Sequence, residues 1–319
     1  MSPDLHDSGQ GVLALILLAL VTFAIGLAIP RDSLQTSLAK TRAITLGSAL
    51  QWLLLPIITA ILIHVVPISP STAKALWLVA ATPGGYGLLT FALLARSDLA
   101  TAMGLSLIST VLKLLLTPLL WWVGTRWLIE PSSLPMQDGQ ITRTVFLALP
   151  VLLLPLIAGI ALQNRKPQVA RALRRASNVA IVLLLLIGIA QAAKQLLIPA
   201  DINWLAIGFV VALHHGIACL VAAVAGASFR CTVGERRSLV FACGTFNASL
   251  AVPLALVIFP GDATALLTLS LWVLWRLIVG SLLALLWRRG ELRAAQTSAA
   301  ATPVTSHFHK PSTSISSAP

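Results

Sequence analysis

Apolar positions in this chain do not alternate with polar ones; they form long runs separated by short clusters of charge. Each run is close to the roughly 20 residues that a helix needs to cross the hydrocarbon of a bilayer. The candidate spans are 11–30, 43–66, 74–95, 99–125, 144–163, 176–196, 203–229, 238–260 and 263–287. Extended backbone in lipid would leave amides unpaired, and these runs are too long and too weakly alternating for barrel strands. The expected fold class is therefore all-α, a polytopic helical membrane protein. Residues 1–10 precede the first span, 11–289 form the transmembrane domain, and 290–319 read as a disordered cytoplasmic tail because Ala, Ser, Thr and Pro replace the apolar runs.

Charge orients the bundle. Arg31, Lys40 and Arg42 follow the first span, Arg96 the third, and Arg165, Lys166, Arg171, Arg174 and Arg175 the fifth. Arg230, Arg236 and Arg237 follow the seventh, and Arg288, Arg289 and Arg293 the ninth. Loops rich in Lys and Arg stay cytoplasmic, which predicts an N-terminus outside and a C-terminus inside a plasma (inner) membrane. With 57% hydrophobic and 10% charged residues, the chain cannot cover a water-facing surface. The formal charge of +12 is supplied by those loops, and no basic stretch is interleaved with aromatics, so no nucleic-acid partner is expected. Met1 to Gln10 carries Asp4 and Asp7 but no Lys or Arg; the first span thus lacks a signal peptide's basic start and is expected to remain as an anchor. Cys219, Cys231 and Cys243 have neither metal nor disulfide spacing, and His307 and His309 have no companions in the tail. No cofactor or metal site is read from them.

Two spans are interrupted in matching ways. The third contains Thr82-Pro83-Gly84-Gly85-Tyr86-Gly87, where proline removes a backbone donor and clashes with the preceding turn and glycine weakens helix further. In the eighth, Gly244, Asn247 and Pro253 loosen the middle. Unwound backbone at membrane depth is tolerated inside protein or beside water, and paired interrupted segments point to a transporter's binding site. Simple proline kinks would leave the same trace.

The residues around these breaks resemble the bile acid:sodium symporter family. The resemblance runs in order through Gly26-Leu27-Ala28-Ile29-Pro30, Gln51 to Pro56, Pro83-Gly84-Gly85, His214-His215-Gly216, Asn247-Ala248-Ser249-Leu250-Ala251 and Trp275 to Ala284. It implies inverted repeats, a core domain with two crossing broken helices, a panel domain that moves against it in alternating access, and carriage of amphipathic organic anions. Members with an extra N-terminal helix would have one helix more in the first repeat. Gln51 matches the family's sodium-binding glutamine and Asn247 the asparagine beside the second break. At other sodium-ligand positions stand Leu88, Leu89, Ala242 and Phe246, whose side chains offer no oxygen to a hard cation. Thr245, Ser106 and backbone carbonyls remain, so sodium, a proton or no ion are all open as the coupling partner.

Two cations sit at mid-depth. Lys113 lies about 20 Å from either end of its span, beyond an easy snorkel. It shares a helix face with Ala102, Ser106 and Ser109, the face on which the family carries sodium-binding hydroxyls. Lys113 is expected to supply the charge of the missing ion, with proton cycling as one route; a structural lysine capping carbonyls is the alternative. Arg276 is expected to read the anion, since guanidinium binds carboxylate or sulfonate bidentately and half-helix N-termini add positive dipole. A structural bond to a carbonyl would also suit it. The acidic residues fall in predicted loops or tails, which leaves both cations without an obvious carboxylate within the membrane.

The expected substrate site comprises Gly84, Gly85, Asn247, Arg276 and His214, and the expected ion-coupling site Gln51, Ser106, Ser109, Lys113 and Thr245. Trp121, Trp122, Trp127, Trp204 and Trp287 read as interface anchors, His64 as interfacial. The expected function is secondary transport of a small organic anion. A channel or ligand sensor is the main alternative, and an embedded enzyme a weaker one because intramembrane carboxylates are lacking.

Overall fold

The computed structural model describes residues 16, 19–24, 26–27, 40–128, 138–195, 202–259 and 261–301. The first expected span and the segment before it lie largely outside these residues. Numbered from the first continuous helix, the elements are α1 Thr41–Val65, α2 Pro70–Ala81, α3 Tyr86–Leu94, α4 Leu99–Trp127 and α5 Asp138–Arg165. They continue with α6 Pro167–Gln195, α7 Trp204–Ser228, α8 Val233–Cys243, α9 Ala248–Ile258 and α10 Ala263–Ala301. The described residues form no strands, only one isolated bridge.

Among the described residues, Thr41–Val65, Trp204–Ser228 and Ala263–Gly290 are each long and apolar enough to cross a membrane unbroken. The halves of α4, Leu99–Lys113 and Leu116–Trp127, pass the same test together and meet at 61°. Pro118 explains this bend, because it cannot donate to the carbonyl four residues back and its ring crowds that turn. Helix α10 runs on to Ala301, eleven residues beyond Gly290, so the start of the presumed tail is helical; alanine-rich sequence has the highest intrinsic helix propensity. Residues 302–319 lie outside the described set.

Pro56 leaves a second mark. It sits in the first turn after a π-helical segment, Leu50–Leu54, in which the Leu55 amide reaches back to the Leu50 carbonyl. Proline cannot serve the Trp52 carbonyl, and the ladder loosens by one residue just before it. Gln51 sits in this segment and is fully buried.

The third and eighth expected spans are each two short helices, α2 with α3 and α8 with α9, interrupted at 82–85 and 244–247. Pro253 does not break its helix as expected, but lies inside α9. The interruptions cross. Pro83 and Phe246 form an antiparallel bridge, flanked by the Gly84 amide donating to the Thr245 carbonyl at 3.1 Å and the Asn247 amide donating to the Thr82 carbonyl at 2.7 Å. Each unwound segment thereby satisfies part of the other's main chain, as irregular backbone within a membrane protein must be satisfied by protein or water.

Apolar clusters lie on both sides of the crossing. One gathers Trp77, Trp121, Phe246, Phe259 and Trp272 around α2 and α9, the other Leu88, Phe91, Leu239 and Phe241 around α3 and α8. Trp121 is thus a core residue packed on Phe259 from the buried side of α4, not an interface anchor. Trp122, Trp127 and Trp204 are exposed, and Trp287 packs edge-on against Phe241. Ion pairs tie the two ends of the bundle. At one end Lys40 bridges Asp98 at 3.2 Å and Glu235 at 3.0 Å, joining the starts of α1, α4 and α8. At the other, Lys74 on α2 pairs with Asp262 at 2.6 Å, while Asp262 caps α10 through the Ala265 amide.

Candidate functional site

The crossing is built from glycine on one strand and main-chain carbonyls on the other. Gly84 has φ 76° and Gly85 φ 126°, both in the left-handed half of backbone space where a side chain is strained. A Cβ on Gly84 would stand 3.2 Å from the Ser109 Cβ, and one on Gly85 would stand 3.2 Å from the Asn247 Cα. Substitution at either would push the strands away from α4 and from each other.

Gln51 closes the site from the α1 side. Its Nε2 donates to the Ala242 carbonyl at 2.7 Å, and its Oε1 accepts from the Ser109 hydroxyl at 2.5 Å. One amide thus joins α1, α4 and α8. Thr245 donates its hydroxyl to the Phe241 carbonyl, while its own carbonyl receives Gly84. Asn247 is buried at the start of α9.

The buried face of α4 carries Ala102, Leu105, Ser109, Lys113, Thr117 and Trp121, with Ser106 half-buried at its edge. Ser109 touches Gln51, and Thr117 donates to the Ala81 carbonyl at the end of α2. Lys113 stands one turn from each, alongside the segment where α2 ends and the crossing begins. It is 4% exposed, and its Nζ has no hydrogen-bond partner among the described residues.

Arg276 approaches from α10. Its Nη1 donates to the Phe246 carbonyl at 2.8 Å, its guanidinium lies 5.2 Å from the centre of the Phe246 ring, and its Nε is buried without a partner. A Cβ on Gly87 would meet that Nη1 at 3.1 Å. The carbonyl contact raised as an alternative from the sequence is therefore made, using one edge of the fork.

His214 is placed differently. The Thr59 hydroxyl donates to the Leu55 carbonyl and so accepts from His214 Nε2 at 2.8 Å, while Nδ1 accepts from the Trp272 indole at 3.2 Å. Both ring nitrogens are committed to protein partners, and the ring is fully buried. Its neighbour His215 lies nearer the crossing, against Gly244 and Cys219. The structure therefore brings together Gly84, Gly85, Asn247, Thr245, Gln51 and Ser109, with Lys113 and Arg276 on two flanks, and sets His214 behind Trp272. The roles of the Ala242, Thr82 and Phe246 carbonyls carry no signal in residue type, because any residue offers a carbonyl.

An all-helical membrane domain organised around two broken, crossing helices is the framework of a transporter. The Sodium Bile acid symporter family matches residues 15–199, and the chain belongs to that family. Relatives include the uncharacterized sodium-dependent transporter YocS of Bacillus subtilis, 25% identical over 279 residues, covering 86% of this chain and 82% of that protein. The sodium-dependent organic anion transporter of Bos taurus is 24% identical over 257 residues, 79% of this chain and 65% of that protein. The hepatic sodium/bile acid cotransporter of Homo sapiens is 22% identical over 177 residues, 56% of this chain and 50% of that protein.

Proposed function

We propose that this protein is a secondary active carrier of small organic anions, binding its substrate at the crossing and exposing it alternately to the two sides of the membrane. The observation that carries this reading is Arg276, a guanidinium whose Nη1 holds the Phe246 carbonyl at the crossing itself. Among the described residues with placed side chains, the acidic groups Asp98, Glu235 and Asp262 are at helix ends and paired with Lys40 or Lys74. An anion beside Arg276 would supply the missing counter-charge. Helices α3 and α9 both begin at the crossing, and their first-turn amides add positive dipole character there. Gly84, Gly85 and Asn247 shape the cradle. His214 supports it indirectly, through Trp272 stacked edge-on against Phe246.

The relatives' names attach sodium to their transport. A sodium ion wants several oxygens. In this chain Leu88 and Ala242 are fully buried and apolar, and the Phe246 carbonyl already faces a guanidinium. A second cation on that oxygen would sit against the first. Gln51, Ser109, Thr245 and Ser106 keep oxygens nearby, but the Gln51 and Ser109 side chains bond one another. Our reading is that Lys113 takes the place of the ion's charge. Uptake by the reconstituted protein in sodium-containing and sodium-free buffer tests this; strict dependence on sodium would overturn it.

The carrier reading is tested by thermal stabilisation of the purified protein against a panel of carboxylates and sulfonates with their neutral amides as controls. Binding to the folded state raises the melting temperature by mass action. Stabilisation by the anions and not by the amides, lost in Arg276→Gln, is expected; equal stabilisation of the variant would remove Arg276 from the site. The inside-positive loops support a C-terminus in the cytoplasm of a cell with this protein in its plasma membrane.

A further inference from the structure

The charge at the crossing constrains how the carrier can return. Gly84 abuts Ser109, one turn before Lys113, and Gly87 abuts Arg276, so two cations flank the same short segment from α4 and from α10. Arginine does not give up its proton in proteins, so its charge is present at every stage of a cycle. Its partner here is a neutral carbonyl, and the Lys113 Nζ has no hydrogen-bond partner among the described residues. To pass from one side to the other, the crossing must go through a state closed to water on both sides. There an uncompensated charge costs most, because no solvent screens it.

We propose that the carrier is an obligatory anion exchanger: the crossing changes sides only while an anion is bound against Arg276, so each anion carried one way must be matched by another carried back. This inference rests on the carrier reading above and adds the stoichiometric constraint. In a carrier that brings its own mobile cation, both charges leave together and the empty site returns neutral. Here the cations are fixed to the protein and stay behind. The returning site is charged by Arg276 unless an anion fills it, and Lys113, wherever it is protonated, deepens that penalty with a second positive charge.

The test uses the full chain in proteoliposomes, with radiolabelled taurocholate and radiolabelled pyruvate as separate external probes. Vesicles contain either the same unlabelled anion or only sucrose and a zwitterionic buffer, with the membrane potential clamped by potassium and valinomycin. Uptake about tenfold or more faster into anion-loaded vesicles is the expected result, unchanged when external sodium is replaced by choline. Equal rates into loaded and unloaded vesicles would overturn obligatory exchange while leaving the carrier reading standing. No flux of either probe in any arm, with the protein monodisperse and folded, would overturn the carrier reading and the exchange with it. Lys113→Met should lower the loaded-to-unloaded ratio without abolishing it, because Arg276 keeps its charge, and Lys113→Arg, which keeps the second charge, should preserve it. An unchanged ratio in a folded Lys113→Met protein would overturn the part assigned to that lysine.

Discussion

Ser109 donates its hydroxyl to the side-chain oxygen of Gln51 at 2.5 Å, and through that contact three helices are held at the crossing by one uncharged amide. The pair is fully buried. Gln51→Leu would leave the Ala242 carbonyl and the Ser109 hydroxyl without this partner, at about 1–3 kcal/mol for each. The melting temperature of the detergent-purified variant should fall accordingly. Ser109→Ala should cost less, and the double variant less than the sum of the two, because the pair shares one bond.

Arg276→Gln is expected to weaken binding of an anionic substrate roughly ten- to hundredfold, the value of a charge-assisted hydrogen bond. The fold should survive, since the Phe246 carbonyl also accepts from the Ala248 amide. Ligand-dependent melting measures the affinity. A melting temperature unchanged without ligand separates the loss of binding from a loss of structure.

Gly85→Ala should abolish uptake. Its φ of 126° lies where only glycine is comfortable, and strain there costs about 1–3 kcal/mol before any contact is counted. The added Cβ would also press on the Asn247 main chain, which cannot yield as a side-chain tip could. Gly261→Ala is the matched control: it too has positive φ, at 76°, but a Cβ there meets nothing within 4 Å. It should show the strain without the transport defect.

Lys74→Met would strand the Asp262 carboxylate at the opposite end of the bundle from Lys40. Breaking one side of a buried ion pair costs about 3–5 kcal/mol, whereas replacing both partners costs less. Lys74→Met with Asp262→Asn is therefore expected to melt above Lys74→Met alone, although Asn must still cap α10.

Acid should weaken the end tied by Lys40. Burial works against ionisation of Asp98, but the Thr101 amide and hydroxyl and the Lys40 ammonium outweigh it and hold the group below its ordinary 3.8. Glu235 is likewise opposed by burial and held below 4.5 by the Thr232 amide, Lys40 and the Thr232 hydroxyl. Hydrogen bonds to Glu235 and then Asp98 raise Lys40 above 10.5. A depressed carboxylate stabilises the fold above its unfolded value and ceases to as pH falls through the folded one; a raised lysine does so below its unfolded value and ceases to as pH climbs through the folded one. The melting temperature should thus hold between about pH 5 and pH 10 and fall below about pH 4. The acid limb should be shallower in Lys40→Met, where Asp98 and Glu235 gain on ionising only from their hydrogen bonds with Thr101 and Thr232.

What could be read in advance was whatever depended on residue type along one helix. Proline and glycine at 83–85 marked one interruption, and Gly244 and Asn247 the other, since these residues carry their backbone preferences with them. Pro253 misled because a proline in the second turn of a half-helix loses one bond that the crossing does not need. That Lys113 and Arg276 lie well inside long helices followed from counting residues. That Arg276 meets Phe246, that Lys74 finds Asp262, and that His214 is held between Thr59 and Trp272 could not be read, because each pairs residues from helices whose relative rotation no single helix specifies.

The two amide bonds that tie Thr82 to Asn247 and Gly84 to Thr245 belong to the main chain. Any amino acid other than proline could stand at those donors and still make them, within the limits of backbone space. The joint itself is therefore indifferent to the side chains at Thr245 and Phe246, whose main-chain atoms make it whatever oxygen-bearing, aliphatic or aromatic group hangs there. A protein built this way can change what it moves, and what drives the movement, while keeping the same moving part.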